Sequence, residues 1–144
     1  MIVKESIYEK KRVLNSEDIT YIMREVYTFG VAQEDFHKEL FYSIGLNARH
    51  TVLYIDLIGL GTVDHCNPPL REIFKTALDK NAVSIILVHN HPSGKCKPSA
   101  EDKVFTEGVK KVSKILQITL LDHIIFGSLD MKGNHLSMAD EGLL

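Results

Sequence analysis

The chain has 144 residues, about the length of one domain, and 44% of them are hydrophobic, as in a globular protein with a real core. Its formal net charge of -2 argues against a general nucleic-acid binder, because such domains carry a strong basic excess. The two cysteines, Cys66 and Cys96, form no C-x-x-C pair, so neither a disulfide framework nor a cysteine-based zinc knuckle is predicted.

The sequence also indicates no membrane or secretory segment. Its first residues lack the apolar core of a signal peptide. No apolar run reaches the roughly 18 residues that are needed to span a bilayer. A cytoplasmic protein without a membrane anchor is therefore expected.

The first half of the chain predicts a helix, two strands and a second helix. Asn15 and Ser16 are good N-caps, and apolar residues follow them at helical spacing, which predicts a helix over about residues 16–28. The stretch "KELFYSIGLNARHTVLYIDLIG" predicts two strands joined by a turn near Asn47 to Arg49. The stretch "PPLREIFKTALDK" then predicts a helix with one apolar face.

In the second half, strands and helices alternate. "AVSIILVH" is continuously apolar and β-branched, as in a strand buried on both faces. A helix is predicted for "SAEDKVFTEGVKKVSKIL", a buried strand for "ITLLDHIIFG", a turn for "MKGN" and a short last strand within "HLSMADEGLL". This alternation predicts an α/β fold in which helices flank a sheet.

Polar residues gather where the buried strand ends, in "VHNHPSGKCKPSAED". His89 and His91 are two residues apart on a strand, so both imidazoles point to the same face. Asp102 falls in the first turn of the next helix, and the short, turn-rich loop between them can bring its carboxylate to the same point. Two histidines and one carboxylate are a usual zinc set, and a fourth position left to water makes such a site catalytic.

The same residues have a simpler interpretation. Ser99 and Asp102 form an S-x-x-D pattern that caps a helix without any metal. A histidine at the end of a strand is often only hydrogen-bonded. The residues by themselves leave both interpretations open.

A family resemblance favours the metal site. The spacing His89-x-His91-x7-Ser99-x2-Asp102 resembles the signature of JAMM (JAB1/MPN/Mov34) metalloproteases. More narrowly, the chain resembles the RadC-like JAB domain family through "LNARHTVL", "REIFKTALDKNAVSIILVHNHPSG", "PSAED", "LLDHIIFG" and "SMADEGLL", which run in the family's order. The resemblance implies a JAB/MPN-type three-layer α/β/α domain with a mixed sheet, related in fold to cytidine deaminases. It places this domain at residues 39–144, with residues 1–38 as a helical lead-in to the same domain.

The resemblance also implies roles for individual residues. His89, His91 and Asp102 would bind Zn²⁺, and Ser99 would help to hold the transition-state oxygen. An upstream glutamate in an E-x-F setting would act as general base on the zinc-bound water. Glu39 fits this position better than Glu34, because Glu34 lies five residues too early.

Three functions follow as hypotheses. The first is a zinc-dependent metallopeptidase or isopeptidase that acts on a peptide or isopeptide substrate. The second is the DNA-repair role with which RadC relatives are labelled, although neither the charge nor the 38 residues before Glu39, which show no G-x-G hairpin pattern, favour nucleic-acid binding. The third is a zinc-containing binding module without turnover. The oligomeric state is not readable from the sequence.

Three further residues near the site have open roles. Cys96 is not part of the family pattern; its thiol either approaches the metal or is an ordinary loop thiol. Asp122 and His123 match the family's "LLDH" and either orient a metal ligand or form a buried pair that the backbone satisfies.

Overall fold

A computed structural model describes residues 11–61, 68–127 and 134–144 of the chain. Cys66 and most of the turn predicted for "MKGN" lie outside these residues. The helices are α1 (Ser16–Gly30), α2 (Leu70–Asp79) and α3 (Ala100–Leu116), with a short 3-10 helix at Gln33–Asp35. The strands are β1 (Glu39–Leu46), β2 (Val52–Gly61), β3 (Ser84–Asn90), β4 (Thr119–Phe126) and β5 (His135–Ser137). The helices and strands predicted from the sequence are confirmed within the described residues.

The strands form one mixed sheet in the order β2-β1-β3-β4-β5. β1 pairs antiparallel with both β2 and β3, β3 pairs parallel with β4, and β4 pairs antiparallel with β5. The parallel pair needs a crossover, and α3 supplies it. All residues of β3 are buried, which explains why its sequence shows no polar alternation.

Helices cover both faces of this sheet, so the predicted three-layer α/β/α fold is confirmed. On one face, α1 packs its apolar stripe against alternate residues of the central strands; this core includes Ile19, Ile22, Met23, Val26, Tyr42, Ile44, Ile86, Val88 and Ile124. On the other face, α2 and α3 cover a core that includes Phe41, Ile73, Phe74, Ala77, Ile85, Leu87 and Val109. Among the described residues, no helix is long and apolar enough to cross a membrane.

Local chemistry fixes the ends of these elements. The Asn15 side chain accepts a hydrogen bond from the backbone N–H of Asp18 and so caps α1. In the β1–β2 turn, Asn47 Oδ1 accepts hydrogen bonds from the backbone N–H groups of Arg49 and Thr51, at 2.9 and 3.0 Å. Such side-chain acceptors are why asparagine favours turns.

The topology brings three chain segments together at one edge of the sheet. Because β1 and β3 are antiparallel, the start of β1 lies beside the end of β3, with Phe41 opposite His89. The N-terminus of α3 follows the loop that leaves β3. This edge therefore collects Glu39, the two histidines and Asp102.

Candidate metal centre

Four side chains converge at this edge. Glu39, His89, His91 and Asp102 each offer one potential ligand atom, and these atoms all lie within 4.8 Å of one another. They come from the start of β1, the end of β3, the loop after it and the first turn of α3. Residues far apart in sequence thus form one compact cluster of nitrogen and oxygen atoms.

Three of the four residues are in close contact. Nε2 of His89 lies 3.0 Å from Nε2 of His91 and 3.3 Å from Oδ1 of Asp102. Nε2 of His91 lies 3.1 Å from Oδ2 of Asp102. Glu39 stands farther out, with Oε1 3.7 Å from Nε2 of His89. The His89 side chain is 0% exposed and that of His91 is 15% exposed, so the cluster is closed behind His89 and reachable beside His91.

Glu39 is held in place through the backbone on either side of it. Asn90 Oδ1 accepts a hydrogen bond of 2.8 Å from the Leu40 N–H, and Asn90 Nδ2 donates one of 2.9 Å to the Lys38 carbonyl. Asn90 is fully buried and follows His89 directly in the chain. It therefore ties the strand entrance that carries the carboxylate to the strand that carries the histidines.

The loop between His91 and Ser99 folds back over the end of β4. The His91 N–H donates to the Phe126 carbonyl at 2.8 Å. Gly94 takes a left-handed conformation, with φ of 88°, and its carbonyl approaches Gly127 so closely that a Cβ there would lie 2.5 Å from it. This return path brings the Lys95 carbonyl to 2.8 Å from Nδ1 of His91.

Asp102 has two roles that seemed to be alternatives in the sequence. Ser99 Oγ accepts a hydrogen bond from the Asp102 N–H at 3.0 Å, and Asp102 Oδ2 accepts one from the Ser99 N–H at 2.8 Å. This is a complete capping box. The same carboxylate also faces both histidines, because the cap fixes it in the first turn of α3.

Behind His89 lies a second, fully buried layer of polar contacts. Nδ1 of His89 is 2.8 Å from Nε2 of His123, and Nδ1 of His123 is 2.7 Å from the hydroxyl of Thr106. Thr106 in turn donates to the Asp102 carbonyl at 2.7 Å. The Phe41 ring stacks on the His89 ring, with centroids 5.1 Å apart and an angle of 4° between the planes. The His89 ring is therefore held at Nδ1 by His123 and on one face by Phe41.

Burial and the carboxylate set the charges of the cluster. Burial lowers the pKa of His89, and it lowers that of His123 well below the ordinary histidine value. Burial also disfavours a charged His91, but hydrogen bonds to Asp102 and to the Lys95 carbonyl outweigh it, so the pKa of His91 is raised. For Asp102, the hydrogen bonds of the two histidines outweigh burial and hold its pKa well below the usual range. The lowered pKa values of His89 and Asp102 favour the neutral imidazole and the ionised carboxylate that bind a metal, whereas at His91 a metal has to displace a proton that Asp102 favours.

The residues fit a zinc ion. The Lys95 carbonyl can only accept, so Nδ1 of a neutral His91 carries the proton and Nε2 presents its lone pair to the cluster. In a tetrahedral zinc site with bonds of about 2.0 Å, neighbouring ligand atoms are separated by about 3.3 Å. The separations of 3.0, 3.1 and 3.3 Å among His89, His91 and Asp102 match that spacing. Lone pairs and a carboxylate at such distances could hold a cation between them.

Other residues named from the sequence lie outside this cluster. Glu34 is exposed on the 3-10 helix, and the Sγ of the half-buried Cys96 does not join the four ligand atoms. Asp122 points away from the site, because neighbouring residues on a strand face opposite sides. It accepts hydrogen bonds from the Ser137 hydroxyl and the Ala139 N–H. Of the pair Asp122 and His123, for which the sequence left two roles open, it is His123 that contacts His89.

Sequence reasoning did not single out Asn90 or Thr106. Asn90 lies between the two histidines of the motif, so its side chain points away from theirs. A polar side chain at such a buried position indicates that it hydrogen-bonds to the neighbouring strand, as Asn90 does. Thr106 follows Asp102 by four residues, one helical turn, so its side chain stands over the same face of α3. Neither spacing is specific enough to assign a role without the fold.

The comparisons with known proteins agree with this fold. The family model for the RadC-like JAB domain matches residues 14–143. A "UPF0758 protein" of Histophilus somni is 41% identical over 109 residues, which are 76% of this chain and 47% of that protein. The "UPF0758 protein" of Methanosarcina mazei is 34% identical over 139 residues, 96% of this chain and 56% of that protein. The chain thus spans about half the length of the curated relatives it matches. On this match, the chain belongs to the RadC-like JAB domain family.

Proposed function

We propose that this domain is a zinc-dependent hydrolase of amide bonds, a metallopeptidase or isopeptidase. The observation that carries the proposal is the cluster of Glu39, His89, His91 and Asp102, in which three residues have ligand spacing and the fourth stands slightly apart. A structural zinc site closes all its positions with protein ligands, whereas a hydrolytic site keeps one for water and substrate. A half-open cluster beside an additional carboxylate favours hydrolysis. The JAB/MPN superfamily also includes metalloisopeptidases.

In the proposed site, His89, His91 and Asp102 would hold a zinc ion. Zinc in such a site supplies Lewis acidity, which lowers the pKa of a bound water toward about 7 and polarises a substrate carbonyl. The Glu39 carboxylate takes a proton from the attacking water and passes it to the nitrogen of the leaving amine. Oε1 of Glu39 lies 3.7 Å from Nε2 of His89, so this carboxylate is next to the proposed ligands and has space for a water molecule beside it.

Ser99 has the chemistry to assist as a donor. In the capping box its oxygen accepts the Asp102 N–H, which leaves its own hydroxyl proton for another partner. Ser99 is exposed at the mouth of the site. A hydroxyl there stabilises negative charge that develops on the carbonyl oxygen of the substrate.

Zinc analysis and a cleavage assay test the proposal together. We expect the purified protein to hold about one zinc ion per chain, and His89→Ala to lose it. His37→Ala is the matched control, because His37 is exposed and lies outside the cluster. Full zinc occupancy in His89→Ala would refute the ligand assignment.

A library of peptides and isopeptide-linked peptides then tests turnover. We expect cleavage that a chelator abolishes and that Glu39→Gln reduces by at least about 100-fold while zinc is retained. Glu34→Gln, the change in the neighbouring E-x-F sequence, should cleave like the wild type. Zinc without chelator-sensitive cleavage would reject the hydrolase and identify a binding module; equal loss in both glutamine variants would reject Glu39 as the base.

A further inference from the structure

A buried chain of hydrogen bonds connects two of the proposed zinc ligands from behind. It runs from the main-chain carbonyl of Asp102 to the Thr106 hydroxyl, then through both ring nitrogens of His123 to Nδ1 of His89. Its three links measure 2.7, 2.7 and 2.8 Å. Thr106 is 2% exposed, and His123 and His89 are fully buried, so water does not compete for these bonds.

The chemistry of the groups fixes the direction of every bond. A carbonyl carries no proton, so at 2.7 Å the Thr106 hydroxyl must donate to the Asp102 carbonyl. Its only proton is then used, and the bond to His123 requires a proton on Nδ1 of His123. In the neutral ring, Nε2 of His123 is therefore an acceptor, and the proton between the two histidines belongs to Nδ1 of His89.

This order of protons decides what His89 presents to the cluster. With Nδ1 protonated, Nε2 of a neutral His89 carries a lone pair, and this is the atom that lies beside His91 and Asp102. The opposite tautomer would place a proton at the point where a metal bond has to form. His91 obtains the same tautomer more simply, from the Lys95 carbonyl.

We propose that Thr106 and His123 are positioning residues that fix His89 in its metal-binding tautomer. The inference deepens the proposed zinc site and rests on it. The series of hydrogen bonds starts at the backbone carbonyl of Asp102. The first turn of α3 therefore fixes both the position of the Asp102 carboxylate and the tautomer of His89. Partners of this kind that orient a metal-ligating histidine typically change metal affinity by about 10- to 100-fold when they are removed.

Thr106→Val tests the proposal because it removes the hydroxyl but keeps the shape. The Nδ1 proton of His123 then has no acceptor, so the ring no longer favours one tautomer. We expect zinc affinity, measured by competition with a chelator, to fall by about 10-fold or more. Thr106→Ser keeps the hydroxyl and should stay within about 3-fold of the wild type.

Thr20→Val is the matched control. Thr20 is also buried in a helix, 3% exposed, and its hydroxyl donates to the Ser16 carbonyl four residues earlier, as Thr106 donates to Asp102. The control loses the same kind of helix bond on α1, away from the cluster. Its zinc affinity should equal that of the wild type. Equal affinities in Thr106→Val and Thr20→Val would overturn the proposal.

The tautomer itself can be read from ¹⁵N NMR spectra of the histidine rings in the metal-free protein at about pH 8, where free imidazole is neutral. We expect the proton of His89 on Nδ1 in the wild type and Thr20→Val, and a shift toward Nε2 in Thr106→Val. A wild-type spectrum with that proton on Nε2 would reject the inference even if the protein bound zinc. The expected tautomer in a protein that binds no zinc would instead support the hydrogen-bond chain and reject the proposed function.

Discussion

At the scale of single residues, the site depends on groups that never reach the metal position. Asn90 holds the backbone on both sides of Glu39, and Lys95 contributes only its carbonyl. The Asn90 side chain positions the Glu39 carboxylate, and the Lys95 carbonyl determines which nitrogen of His91 carries the proton. The motif residues alone therefore understate how many positions the chemistry needs.

Asn90→Ala separates positioning from metal binding. The change leaves the Leu40 N–H and the Lys38 carbonyl without the side chain that satisfies them, and it should lower the free energy of unfolding by about 1–3 kcal/mol. We expect turnover to fall while zinc affinity stays nearly constant, because Asn90 contacts the backbone around Glu39 and no ligand atom. Urea denaturation, chelator competition and the cleavage assay measure the three effects.

Asn47→Ala is the control for this change. Asn47 also satisfies two backbone groups, the N–H groups of Arg49 and Thr51, but in the β1–β2 turn. The Asn47→Ala variant should have a lower free energy of unfolding but unchanged turnover. A similar loss of turnover in both variants would show that Asn90 acts through stability alone.

At the scale of elements, the N-terminus of α3 joins a structural and a chemical task. Its capping box satisfies the first turn of the helix and fixes the carboxylate that faces the histidines. Asp and Glu are also favoured at this end by the helix dipole. The same arrangement of Ser99 and Asp102 thus caps the helix and places the proposed metal ligand.

Ser99→Ala tests this double task. Loss of an N-cap costs about 1 kcal/mol of stability, which thermal or urea unfolding measures. We expect the variant also to lose zinc affinity and turnover, because the Asp102 N–H loses its acceptor and only the backbone N–H of residue 99 still holds the carboxylate. Asn15→Ala removes the N-cap of α1 and should cost similar stability without changing either property. If the two variants kept the same zinc affinity, the cap would have no role in placing the ligand.

At the scale of the whole molecule, α1 completes the layer that supports the other face of the sheet. Its Tyr27 packs edge-on against Tyr42 of β1, with ring centroids 5.4 Å apart. Burial raises the pKa of Tyr42 to about 12. Ionisation of this phenol is therefore coupled to the packing of the helix on the sheet.

The sign of the pH effect follows from that shift. Tyr42 ionises near pH 10 when the chain is unfolded but only near 12 when it is folded. Its contribution to stability is complete below pH 10 and is lost between pH 10 and 12, to a total of roughly 3 kcal/mol. Urea denaturation across this range should show a smaller decline for Tyr42→Phe than for the wild type. Tyr21 is exposed and its pKa is raised mainly by a hydrogen bond with Glu25, so Tyr21→Phe should depart from the wild type much less than Tyr42→Phe. Parallel declines in all three proteins would contradict this assignment.

Much of this molecule is readable from its residues in order. The apolar periodicity of Ile19 to Val26 and the unbroken apolar run of β3 predict helix and strand because burial imposes those patterns. The spacing of His89 and His91 places two imidazoles on one face for the same geometric reason. The sequence therefore determined these helices and strands, and it placed two imidazoles at the end of β3.

Only the tertiary structure decided which distant residues complete the site. Antiparallel pairing of β1 with β3 brings Glu39 beside the histidines, a contact that the family resemblance implied but that no local pattern explains. Strand alternation turns His123 toward His89 and Asp122 toward Ser137, a choice that the adjacent letters D and H leave open. Thr106 meets His123 because α3 packs across β4. These contacts depend on register and on helix placement, which local sequence patterns do not encode.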